Sequence, residues 1–142
     1  MADDHLYVAS RASIPERSAM WRTARFAGWP ILSTWIDEAG EGETKCNAEL
    51  WTRIHAEIAT AHAVVLYAEP DDFPLKGALV EVGIAIGLNK AVVCCLPGVE
   101  LHAHTCRPLG SWFKHPFVRR EDDLEKAMRL ALATRPATAP SE

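Results

Sequence analysis

Apolar runs five or six residues long recur along the chain, and between them the apolar positions spread out to helical spacing. LYVAS (Leu6 to Ser10), ILSTWI (Ile31 to Ile36), AVVLY (Ala63 to Tyr67) and AVVCCL (Ala91 to Leu96) carry little polar interruption, the pattern of strands covered on both faces. Ser13-Ile14-Pro15-Glu16 offers a hydroxyl N-cap, a first-turn proline and a glutamate three residues after the serine, which predicts a helix running to about Ala27 and stopping near Gly28 and Pro30. A second helix is predicted from about Asn47 to Ala61, with Leu50, Ile54, Ile58 and Ala61 on one stripe. Gly77 opens a third through Leu88, with Asn89 as its cap. From Pro97 to Pro116 the pattern weakens to loop, with a short strand around Phe117. Asp122 with Glu125 then opens a last helix whose stripe is Leu124, Ala127, Met128 and Ala131.

Apolar strands alternating with helices predict an α/β chain: a three-layer, flavodoxin/Rossmann-like fold with a mainly parallel sheet of about five strands. Ligands of such sheets bind at the carboxyl ends of the strands, so the loops after Tyr7, Trp35 and Tyr67 are expected to face one crevice. The 142 residues suit a single domain over 1–135, with 136–142 as a disordered tail in ATRPATAPSE.

Composition narrows the function. With 49% hydrophobic and 24% charged residues and a net charge of −4, the chain reads as a soluble globular protein that binds no nucleic acid. No basic region precedes a long apolar run, and no segment is long enough to span a bilayer, so a cytoplasmic protein without a membrane partner is expected. The four cysteines have no CxxC spacing and read as reduced thiols. Glu100, His102, His104 and Cys106 alternate and would share one face of a strand, but the segment lacks strand character and the zinc spacings, so they read as loop residues and no metal or cofactor is expected.

One carboxylate, Glu81, stands inside the apolar segment GALVEVGIAIG, residues 77–87. It is either a solvated helix residue or a reactive group held in a cleft. A position in the first turns of a helix starting at Gly77 favours the ionised form by roughly 0.3–1 kcal/mol. Gly77 lets a ligand approach the backbone, and Gly83 allows close helix packing. A rigidly held anionic oxygen is what attack on an anomeric carbon requires.

LYVAS, AHAVVLYAEP and KGALVEVGIAIGLNKAVV together make the chain resemble the nucleoside 2-deoxyribosyltransferase superfamily, which includes nucleoside 5′-monophosphate N-glycosidases, over about residues 6–133. The resemblance implies a flavodoxin-like fold, with Glu81 of the G-x-x-x-E-x-G pattern as nucleophile and Tyr7 positioning its carboxylate. It also implies a homo-oligomer in which a neighbour's segment completes the site, here Gly110 to Pro116. An aspartate of the family aligns with His62, which is either a general acid or a structural histidine. A second family carboxylate falls on Leu75, and Asp71 or Asp72 can supply it instead. The phosphate-gripping turn of the monophosphate hydrolases corresponds to Ser10-Arg11-Ala12-Ser13, where Arg11 suits an anion. Trp35 and Trp112 can stack on a base. The expected activity is cleavage of the N-glycosidic bond of a nucleoside or its 5′-monophosphate, with water or another base as acceptor. Alternatives are a non-catalytic nucleotide-sensing module and a TIR-type NAD glycohydrolase.

Overall fold

A computed structural model of the chain describes residues 4–38 and 46–135; the tail 136–142 and most of the acidic loop before Cys46 lie outside the described residues. Four parallel strands form one sheet, in the spatial order β1 (Leu6–Ala9), β2 (Ala63–Tyr67), β3 (Ala91–Cys95) and β4 (Val118–Arg120). Every residue of β1, β2 and β3 is buried, which is why these strands read as unbroken apolar runs. Around them lie α1 (Pro15–Phe26), α2 (Asn47–Thr60), α3 (Gly77–Gly87) and α4 (Leu124–Ala133). α2 and α3 pack together, while α4 lies along β1, β2 and β3. Arg129 of α4 stacks over Trp29, just beyond α1, with 5.9 Å to the ring centroid.

The expected fifth strand, ILSTWI, is reduced to a single bridge between Ile31 and Leu6 on the free edge of β1. Side chains take over the pairing two residues further on. The Val8 N–H donates to Ser33 Oγ at 2.8 Å, and the Trp35 indole N–H donates to the Val8 carbonyl at 2.7 Å. With both backbone groups of Val8 satisfied, the segment turns into a short 3-10 helix, Trp35–Asp37, instead of continuing a ladder. The chain therefore leaves β1 towards Ile31 on one side and returns to β2 on the other. β1 and β2 bracket the point where the sheet order reverses, the usual place for a ligand crevice in an open α/β sheet.

Two helix starts differ from expectation. Ser13 does not cap α1: Ile14 is the N-cap without a side-chain bond, and the Ser13 hydroxyl accepts from Arg11 Nε at 3.1 Å. Asp123 rather than Asp122 caps α4, because Asp122 is drawn to the Leu96 N–H and to Arg120. Asn89 ends α3 in the left-handed region at φ 64°, which asparagine tolerates after a helix. Gly83 plays no close-packing part, since a Cβ there would meet nothing within 4 Å. Among the described residues no helix is long and apolar enough to cross a membrane, and no cluster of His, Cys, Asp or Glu could hold a metal ion. His102 and His104 lie in exposed turns and Cys106 is buried, so the alternating set does not share a face.

Candidate active site

A cavity of about 350 Å³ opens at the carboxyl end of β1. The turn after β1 supplies Ser10, Arg11 and Ser13, Trp35 and Trp51 contribute indoles, and the start of α3 supplies Lys76, Gly77 and Glu81. Five of the expected site residues, Ser10, Arg11, Trp35, Gly77 and Glu81, are thus gathered from segments up to 71 positions apart in the chain.

Glu81 is buried at 8% exposure, on the inner side of α3. Tyr7, on β1 beneath it, is fully buried. The Tyr7 hydroxyl is near enough to favour the Glu81 anion, yet among the described residues neither that hydroxyl nor Glu81 Oε1 completes a hydrogen bond. Unsatisfied polar atoms in the interior are costly.

Burial pushes the Glu81 carboxyl from its ordinary 4.5 up to about 8; Tyr7 pulls it down and the charge of Glu57 raises it further. Such a rise is roughly 5 kcal/mol of preference for the neutral acid, several times the ~1 kcal/mol a helix N-terminus gives an anion. The expectation of a carboxylate ionised at neutral pH is therefore corrected. Glu81 is the fifth residue of α3, past the first turn where the dipole acts most strongly, and its desolvation decides the outcome. Burial, reinforced by the charges of Glu81 and Glu57, holds the Tyr7 hydroxyl protonated far above the ordinary range.

The walls are held from behind. Ser10 Oγ accepts from the Trp21 indole at 2.9 Å, which leaves the hydroxyl proton of Ser10 free to turn elsewhere. Arg11 donates through Nε to Ser13 and through a terminal nitrogen to the Asp72 carbonyl at 3.1 Å, which ties the turn after β1 to the loop before α3. Trp51 lies against the start of α3, where a Cβ on Gly77 would meet its ring at 3.6 Å, an ordinary contact. With Glu81 neutral, Arg11 and Lys76 are the charged side chains lining the cavity.

Four expected residues lie elsewhere. Asp72 is buried at 1% exposure and held by Arg17 through two bonds of 2.7 and 3.1 Å. Its carboxylate also accepts from the Glu69 N–H, so it shapes the loop rather than facing the cavity, and Asp71 beside it is exposed. His62 stands before β2, at the opposite end of the strands, with Nε2 2.8 Å from the Thr134 carbonyl oxygen and Asp4 and Arg135 close by. Trp112 sits in the 3-10 helix Ser111–Lys114, edge-on to Phe113 at 6.3 Å. Conversely, Trp51 and Lys76 line the cavity without having been singled out from the sequence. Trp51 follows Leu50 of the α2 stripe and Lys76 directly precedes the motif glycine, so adjacency to those patterns was the available signal.

No protein-family model and no curated protein matches the chain. Solved structures do. A 2-desoxiribosyltransferase from Leishmania mexicana superposes with a TM-score of 0.65 at 15% identity, over 91% of this chain and 97% of that one. The Clostridium botulinum CMP N-glycosidase BcmB superposes with a TM-score of 0.50 at 13% identity, over 89% and 96%. The chain shares its α/β fold with these two proteins, a fold of the kind that the resemblance read from the sequence implies.

Proposed function

We propose that the protein is an enzyme cleaving the N-glycosidic bond of a nucleoside or nucleoside 5′-monophosphate, with Glu81 as nucleophile. The observation that carries this reading is the buried Glu81–Tyr7 pair, both with unsatisfied oxygens, at the edge of a cavity walled by two indoles and two cations. Indole faces suit a planar base, and Arg11 with Lys76 suits an anionic group such as a 5′-phosphate. Attack of a Glu81 oxygen on C1′ forms a glycosyl ester as the bond to the base breaks. The carboxyl gives up its proton in that step and the departing base takes one up, so the step is proton-neutral overall. Water or a second base then attacks C1′ from the vacated side, with net retention. By their names the two proteins sharing the fold are a 2-desoxiribosyltransferase and a CMP N-glycosidase, which supports the reading. The outer face of α3 exposes Val80 and Leu88 and bears no charged side chain, which supports assembly as a homo-oligomer.

The test is incubation with a panel of nucleosides, their monophosphates and NAD, followed by chromatography for free base. Release by the wild type and a loss of at least about 1,000-fold in Glu81→Gln are expected, on the scale of removing a catalytic nucleophile. Undiminished release by a folded Glu81→Gln protein would remove the mechanism. Binding without release would make the chain a nucleotide-binding module instead.

A further inference from the structure

Glu57, half-buried on α2, is outside the cavity lining, yet it controls one wall. It accepts from the Thr34 N–H at 3.2 Å and from the Thr34 hydroxyl at 2.6 Å. Arg53, one turn earlier, donates to the same hydroxyl at 2.5 Å and to Glu38 at 2.9 Å. Residues 33–38 are thereby clasped to α2. That segment carries Ser33 and Trp35, which satisfy the N–H and carbonyl of Val8 next to Tyr7, and Trp35 is itself a cavity wall. We propose that Glu57 is a positioning residue of this site, seating Trp35 through Thr34 and placing a second negative charge within electrostatic reach of Glu81.

The groups that bear on Glu81 are Tyr7 from β1 and Glu57 from α2, while Arg11 and Lys76 line the same cavity. Tyr7 stays protonated, so Glu57 is the anion that acts on Glu81 among the described residues. Burial holds the Glu81 proton in place, and the negative charge of Glu57 adds to that hold. A substrate that brings positive charge to C1′ as the bond breaks releases it.

The kinetic part of the test rests on the glycosidase reading; the titration does not. Glu81 is followed by 13C carboxyl NMR, its signal assigned by its loss in Glu81→Gln. Glu57→Gln removes the charge but keeps an acceptor for the Thr34 N–H, with Glu57→Ala as the second charge-removing variant. Thr34→Val removes the hydroxyl that Glu57 and Arg53 share and keeps the charge. The Glu81 midpoint, near 8 in the wild type, is expected to fall by roughly half to one pH unit in either Glu57 variant, and to stay in place in Thr34→Val. The acid limb of base release should move down with it, a change that a purely structural role for Glu57 would not produce. An unmoved midpoint in a cooperatively unfolding Glu57 variant overturns the inference whatever the turnover, as does an equal shift in Thr34→Val. Base release that survives Glu81→Gln removes the glycosidase reading alone.

Discussion

Replacing Glu81 by Gln should stabilise the fold, and increasingly so as the pH rises. In the folded chain burial holds the carboxyl protonated up to about pH 8, whereas in the unfolded chain it ionises near its ordinary 4.5. The folded state thus binds this proton more tightly than the unfolded state does. The group's contribution is intact below about pH 4.5 and is lost as the pH climbs through the interval towards 8. Within that interval the wild type gives up at most roughly 1.4 kcal/mol per pH unit from this one group, a total of about 3–4 kcal/mol between pH 5 and pH 8 because the slope eases near 4.5 and 8. Glutamine fills the same space and does not titrate, so the gap between the two proteins should widen by that amount, or by about 10 °C in Tm. Urea unfolding of both proteins at pH 5, 6, 7 and 8 measures it. Taking the difference at each pH cancels the titration of groups elsewhere in the fold. Parallel curves for the two proteins across this range would show that Glu81 is solvated in the native state, and would refute both the burial argument and the site built on it.

Two further outcomes follow from the surrounding contacts. Arg17→Ala strands the Asp72 carboxylate in the interior and should cost about 3 kcal/mol in thermal or urea unfolding, as for a buried pair that loses one partner. Arg11→Ala should raise KM for a nucleoside monophosphate about 10-fold or more while changing KM for the parent nucleoside little, because a charge-assisted bond to phosphate is worth roughly 1.5–3 kcal/mol; steady-state kinetics on the two substrates separates the cases.

The parallel core was legible because β1, β2 and β3 are buried on both faces and have no polar alternation to obscure them. The failure at ILSTWI has the same root. Its pattern is that of a strand, but whether it pairs depends on what reaches the backbone of Val8, and two side chains reach it first. The site divides along similar lines. Ser10, Arg11, Gly77 and Glu81 sit where strands end or helices begin, and topology alone brings such places together. Asp72 could not be assigned from its own surroundings, because its partner Arg17 lies 55 residues away and consumes it. His62 presents the same difficulty: only the fold reveals that its end of β2 faces Thr134 rather than the cavity.

The charge state of Glu81 shows why the last step needs coordinates. Position in a helix argued for an anion, and position in the core argues for a neutral acid. The two effects differ several-fold, and the larger depends on how closely α3 packs on β1 and α2, which no local pattern encodes. A more solvated Glu81 would ionise readily and cost the fold less at neutral pH. Burial sets that balance in the main, and Tyr7 and Glu57 act on it with opposite sign.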